Sequence, residues 1–225
     1  MTRRSIIPFG LLLVALTAAC TPEELEAIGR VILEETGSPA PLSTVSPSPG
    51  ASPSVKPTPG SVAYSDDERE LYRLLMAYRA EEGLADIPLS PSLTTVARTH
   101  VEDLLALRPD GENCNLHSWS DSEAWTGGCY TRDHAKASVM WDKPRELTSY
   151  PGNGYEIAVG YYGTGTNRPA LTPAKALASW KSSSGHNAVI INEGTWADTT
   201  WQAVGVGING EYATVWFGKE SDPAL

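Results

Sequence analysis

Near the C-terminus, the run AVGVGINGEYATVWFG (203–218) constrains the fold more than any other stretch. Two alternating arms flank Asn209-Gly210, the pair that a two-residue type I′ hairpin requires, so an antiparallel hairpin of that type is expected. Gly205 and Gly207 leave one face of the first arm without side chains, which predicts that another element packs close against it.

The preceding sequence supplies the layers to cover such a hairpin. Ser65 and Glu68 form a capping box ahead of Leu71, Leu74, Leu75 and Tyr78, and Gly83 stops that helix. Ser90-Pro91 opens a second helix with Leu93, Val96, Ala97, His100 and Leu104 on one stripe. YEIAVGYYG (155–163) reads as a strand, and Thr172-Pro173 caps a third helix containing Ala174, Leu177, Ala178 and Trp180. This order predicts an α+β domain, a three-layer α/β/α sandwich around a mainly antiparallel sheet. The section 109–154 is rich in Gly, Asn, Asp and Trp with little periodicity, and is expected to be mostly loop.

The N-terminal part carries different instructions. Arg3 and Arg4 precede an apolar run that ends in small residues before Cys20, as a cleavable secretory signal does. Residues 1–19 look like a bacterial lipoprotein signal, with Ala18, Ala19 and Cys20 fitting the lipobox and Thr17 standing where leucine is usual. Cys20 is then the lipidated residue, and the membrane is a partner through that anchor. A short juxtamembrane helix is expected over 20–37, where Thr21 and Glu24 form a capping box. The segment 38–63 has recurrent proline and serine and a single charge, so it reads as a disordered linker. Extended at about 3.1 Å per residue, it would hold a domain over 64–220 up to roughly 75 Å from the anchor.

With Cys20 assigned to the anchor, Cys114 and Cys129 remain, and an even pair in an oxidising compartment most simply forms a disulfide. A zinc–thiolate pair would want closer spacing. The formal net charge is −10, with the acids spread along the chain, so no basic surface is offered to nucleic acid. An extracytoplasmic location follows from these features.

The ordered pieces LMAYRAEEGL, VARTHVEDL, LHSW, YEIAVG, WKSSSGHNAVII, WQAVGVGI and YATVWFG resemble the CAP superfamily, shared by cysteine-rich secretory proteins, insect venom antigens and plant pathogenesis-related proteins. The resemblance covers roughly Tyr64 to Gly218. It implies a central cleft lined by two histidines and two glutamates. His117 of LHSW looks like the first histidine, Glu156 stands where the family has the glutamate of its GEN motif, and His186 looks like the second histidine. Ser183 occupies the place of the second glutamate, so the set here is two imidazoles, one carboxylate and a hydroxyl at the rim.

That set admits three chemistries. Two imidazoles and a carboxylate are a zinc ligand set with one position left for water or substrate, so His117, Glu156 and His186 are candidate ligands for a divalent metal such as zinc. Without a metal, they form a hydrogen-bonded polar cleft. A serine nucleophile at Ser182, Ser183 or Ser184 lacks a G-x-S-x-G elbow. The corresponding functions are a surface-anchored binding module for a small ligand, lipid, glycan or wall-derived polymer, or a metal-assisted hydrolase with Glu156 as ligand or base. His100, on the apolar stripe of its helix, reads as a core histidine; His134 as locally bonded beside Asp133; and Trp119, Trp125 and Trp141 as packing residues of the disulfide loop.

Overall fold

The computed structural model describes residues 62–111, 113–160 and 170–225. The expected signal sequence, Cys20, the expected juxtamembrane helix and nearly all of the expected linker lie outside the described residues, as does the far end of YEIAVGYYG. Among the described residues, no helix is long and apolar enough to cross a membrane.

Helix α1 spans Asp66–Glu81 and begins with the expected reciprocal capping box between Ser65 and Glu68. Helix α2 spans Pro91–Leu107, with Ser90 accepting from the Leu93 N–H at its start. Two short helices, α3 (Ser138–Trp141) and α4 (Lys143–Leu147), occupy part of the section expected to be loop. Strand β1 (Gly154–Gly160) follows, then α5 (Pro173–Ser182), capped by Thr172, and α6 (Ser184–Ile190). A 3-10 turn over Gly194–Trp196 leads to β2 (Ala203–Asn209) and β3 (Tyr212–Gly218).

The three strands form an antiparallel sheet in the order β1-β3-β2. Helices cover both faces. Ile157, Val206, Val215 and Phe217 pack with Leu71 and Leu75 of α1 and Leu177 and Trp180 of α5. On the other face, Trp216 packs with Leu93, Val96 and Ala97 of α2, while Ala158 and Tyr212 pack with Val101 and Leu104. Each large apolar side chain so buried contributes about 1.5–3 kcal/mol. The architecture is thus α+β in three layers, α/β/α.

The glycines of β2 set how closely α2 approaches. A Cβ at Gly205 would lie 2.1 Å from the Leu93 carbonyl carbon, and one at Gly207 would lie 2.7 Å from that of Ala97. The bare strand face is therefore filled by helix backbone. Thr214 of β3 donates from Oγ1 to the Ala97 carbonyl at 3.3 Å, extending the contact toward β1. The hairpin itself departs from expectation. Asn209 pairs with Tyr212, so Gly210 and Glu211 make the turn. Gly210 has φ 56°, whereas Glu211 is not among the residues with positive φ, which is the glycine-first pattern of a type II′ turn rather than type I′.

The C-terminal tail closes the α2 end of the domain. Buried Asp222 accepts from the Ser90 hydroxyl at 2.5 Å, the Ser92 N–H at 2.9 Å and the Ser92 hydroxyl at 2.8 Å. Packed structure therefore continues beyond residue 220. Those hydrogen bonds, aided by the helix dipole, hold the Asp222 carboxyl below its ordinary range against the opposing effect of burial.

Candidate functional site

The site is built where α2, the disulfide loop and the edge strand β1 meet. Because α2 lies with its backbone against β2 and β3, the next buried position on its stripe, His100, reaches Glu156 on β1. His100 Nδ1 lies 2.5 Å from Glu156 Oε1, and His100 Nε2 lies 3.0 Å from the Ser118 carbonyl oxygen. The imidazole stacks on Trp119, with centroids 4.2 Å apart and planes 8° from parallel. Both ring nitrogens therefore face oxygen acceptors.

His117 arrives from the other side. Cys114 and Cys129 form the expected disulfide, closing a loop that contains His117. Inside it, Trp119 and Gly128 exchange backbone hydrogen bonds, and the His117 N–H donates to Asn115 Oδ1 at 3.0 Å. Asp103, one turn along α2 from His100, accepts from the Ser120 N–H at 2.9 Å and from the Ser120 hydroxyl. Helix and loop are thus tied twice. His117 Nδ1 then lies 2.8 Å from Glu156 Oε2.

Glu156 is consequently held between two imidazoles. Its side chain is 0% exposed, and each carboxylate oxygen has a histidine partner. Burial raises its pKa, but the charge and hydrogen bond of His100, with those of His117, outweigh burial and keep the carboxyl below the ordinary range. A carboxylate accepts only, so Nδ1 of each ring carries the proton of its bond. The other nitrogen of His100, Nε2, faces the Ser118 carbonyl, so the ring bridges the carboxylate and the disulfide loop. His117, donating from Nδ1, presents Nε2 on the opposite side of a ring that is 16% exposed.

His186 lies on α6, a short helix that resumes directly after the break at Ser183 rather than a chain beyond a helix end. It is half-buried and within electrostatic reach of both His117 and Glu156. Burial, with His117 beside it, pushes its pKa down to about 4 against the opposing effect of Glu156, so the ring is neutral at physiological pH. Buried Arg79 and Tyr78 of α1 hold this helix. Arg79 donates to the Ile190 carbonyl at 2.5 Å and to Asn192 Oδ1 at 2.7 Å, and the Tyr78 hydroxyl bonds Asn187 Oδ1 at 2.9 Å. Ser183 sits at the helix junction, half-buried, and its side chain caps neither helix. Among the described residues, no hydrogen bond joins its hydroxyl to either histidine.

The expected metal ligands do not fit that role as arranged. Both oxygens of Glu156 are occupied by histidines, and among the described residues no group of three or more His, Cys, Asp or Glu side chains could hold a metal ion. His100 is the residue that sequence reasoning missed. It is a core histidine, as its apolar stripe implied, but its two partners place it inside the site. The signal was present: a histidine on a buried helical stripe needs partners for two nitrogens.

The remaining singled-out residues lie elsewhere. His134 is exposed, with φ 58°, and bonds the Tyr130 hydroxyl at 2.8 Å rather than Asp133. Trp119 is buried, and half-buried Trp125 donates to the Ser120 carbonyl at 2.9 Å, so both serve the loop core. Trp141 does not. It is 38% exposed and lies against Tyr155.

No protein-family model matches the chain, and no curated protein matches it. Solved structures similar to this chain include the following three. An outer surface protein from Borrelia burgdorferi is 16% identical, with a TM-score of 0.45, over 71% of this chain and 97% of that one. A cysteine-rich secretory protein from Staphylococcus aureus is 11% identical, with a TM-score of 0.43, over 69% of this chain and 39% of that one. An extracellular protein containing an SCP domain from Bacillus anthracis is 14% identical, with a TM-score of 0.46, over 71% of this chain and 45% of that one. This chain therefore spans less than half the length of the latter two proteins.

Proposed function

We propose that this chain is an extracytoplasmic binding module, tethered through lipidated Cys20, whose cleft takes an uncharged hydroxyl- or amide-bearing unit of a wall-derived polymer. One observation carries the reading. Among the described residues, the carboxylate at the centre of the site is turned inward onto His100 and His117, so the groups left for a ligand are the outer nitrogen of His117 and the neutral ring of His186. Imidazole rings offer N–H donors and, when neutral, an acceptor nitrogen, and sugar hydroxyls and amide groups pair with both. The disulfide and the N-terminal signal support export.

Hydrolysis has less support, because among the described residues no nucleophile is hydrogen-bonded to either outward imidazole. No metal-assisted step is derived, since the donor set does not converge on an ion.

The test is calorimetric titration of the detergent-solubilised full-length chain with three probes: a β-1,4-linked N-acetylglucosamine tetramer, a soluble muropeptide and decanoate. Binding of the tetramer or muropeptide, weakened at least tenfold by His117→Ala, is expected. Binding of decanoate alone would favour a lipid ligand, and turnover of any probe would make the protein an enzyme. Either result, or no binding at all, overturns the reading.

A further inference from the structure

We infer that the proline-rich segment 41–59 docks back onto its own domain, on an aromatic surface formed by Trp141, Tyr155, Trp196 and Lys219, and so shortens the tether. The surface lies on the sheet face opposite the cleft, and the inference does not rest on the binding reading above.

Tyr155 and Glu156 are neighbours on β1, so their side chains leave opposite faces of the sheet. Glu156 turns to the cleft, and Tyr155 packs at the margin of the core beneath α1 and α5. Trp141 of α3 and Trp196 of the 3-10 turn both lie against the Tyr155 ring, at centroid distances of 6.2 and 5.1 Å. Buried Trp201 backs Tyr155 and Trp196 at 5.6 and 5.2 Å. Trp141 is exposed, Tyr155 and Trp196 are half-buried, and the exposed Lys219 ammonium lies 5.1 Å from the Tyr155 centroid and 5.8 Å from that of Trp196. Aromatic surface left to water in this way marks an interaction site. Its polar tips are open as well. Trp125 and Trp201 donate their indole N–H groups to carbonyls, whereas among the described residues no hydrogen bond engages the indole N–H of Trp141 or Trp196, or the Tyr155 hydroxyl. The surface thus offers flat apolar rings together with hydrogen-bond donors.

A polyproline II ligand matches both properties. Its rings pack on aromatic faces, and its backbone carbonyls, bonded to nothing within the helix, accept from indole N–H and ammonium groups. The chain carries such a sequence. Pro41, Pro47, Pro53 and Pro59 recur every six residues, two turns of a three-residue helix, so in that conformation they share one ridge. Lys56 is the one charge in the segment, so docking strips little hydration from it. Reach favours this segment over a separate partner. Ala63 and Tyr64 line a cavity with Asn209 and Gly210 at the hairpin turn, whereas Lys219 follows the opposite end of β3, about 23 Å away along the strand. The nine residues from Pro53 to Val62 extend about 28 Å, and the fifteen from Pro47 about 47 Å. Tethering at that length gives an effective concentration on the order of millimolar, which a free peptide does not have. Docked, the segment is withdrawn from the arm between anchor and domain.

The indole N–H signals of the ¹⁵N-tryptophan-labelled full-length chain in detergent report each ring, with those of Trp141 and Trp196 identified by Trp141→Phe and Trp196→Phe. The test variant carries Pro41→Ser, Pro47→Ser, Pro53→Ser and Pro59→Ser together, and leaves every described residue unchanged. In it, the Trp141 and Trp196 signals should shift and exchange with water at least tenfold faster than in the wild type, while the signals of the buried rings stay in place. A synthetic peptide of residues 41–59 added to this variant should return both signals to their wild-type positions. The same peptide should bind the wild type at least tenfold more weakly, because the tethered segment competes. Identical indole spectra in the wild type and the proline variant overturn the inference. Wild-type protection that disappears on dilution also overturns it, since the segment would then sit on a neighbouring copy. If the N-acetylglucosamine tetramer moves the same two signals and the peptide does not, the surface is a glycan platform and the inference fails.

Discussion

At the scale of single residues, the site is governed by which polar groups can find partners once water is excluded. Glu156 stays ionised because two imidazoles reach it, whereas His186 stays neutral because burial is not offset by a hydrogen-bonded acid. This gives His186 a signature in stability. Its ring titrates near 6.5 in the unfolded chain and about 4 in the folded one. Above pH 6.5 it is neutral in both states and contributes no pH dependence. Between 6.5 and 4 the unfolded chain takes up the proton first, so folding stability falls as pH falls through that window and levels off below it. Because the ring is half-buried, we expect about 1–2 kcal/mol rather than the full linkage value. Urea titrations from pH 7 to pH 4 should show this slope in the wild type and a flatter one in His186→Asn; equal slopes would show that His186 does not set it.

At the scale of elements, the close approach of α2 to the sheet brings His100 to Glu156. Gly205→Ala would drive a methyl group into the Leu93 backbone, which cannot yield as a flexible side chain would. We expect a loss of about 3 kcal/mol or more in thermal or urea unfolding. Gly185 provides the contrast. It lies in α6 with nothing within 4 Å of an added Cβ, so Gly185→Ala should stabilise by about 0.4–1 kcal/mol. The start of α2 carries a second test. Asp222 has a depressed folded pKa, so its contribution is complete above the unfolded value of 3.8 and is lost as pH falls through the folded one. Asp222→Asn should therefore lower stability by about 1.5–3 kcal/mol at pH 7, and the difference from wild type should shrink as pH falls below 3.8.

At the scale of the whole molecule, the disulfide loop is a cover laid across one face of the sandwich and pinned at Cys114–Cys129, at Trp119–Gly128 and at Asp103–Ser120. Replacing both cysteines with serine removes the first pin. The chain-entropy model puts the loss at about 3 kcal/mol for a loop of this size. The loop packs on the core but contributes no strand to the sheet, so the site should loosen before the domain unfolds. Hydrogen exchange of the double-serine variant should show faster exchange at residues 115–120 with the β2 and β3 amides still protected. Simultaneous loss of protection in loop and sheet would show that the loop and core unfold as one unit. At this same scale, labelling of intact cells with a radioactive fatty acid should mark the wild type and not Cys20→Ala.

What the sequence determined by itself is local. The capping box at Ser65, the caps at Ser90 and Thr172, the stop at Gly83 and the strand pair around Asn209-Gly210 depend on residues within a few positions of one another, so their physics is complete within a short window. Gly205 and Gly207 also announced a close neighbour, though not which one. The hairpin's turn shifted by one residue because register is fixed by pairing along the whole of β2 and β3, not by the turn pair alone. Short helices α3 and α4 escaped notice because their turns are stabilised by packing, with no side-chain cap to mark either start. The partners of His100 were decided by tertiary structure alone. They are Glu156, 56 positions away on another element, and the Ser118 carbonyl, which carries no side-chain signature. Only the crossing of α2 over the sheet brings these atoms within hydrogen-bond range, and exclusion of water there makes each of those partners obligatory for a buried imidazole.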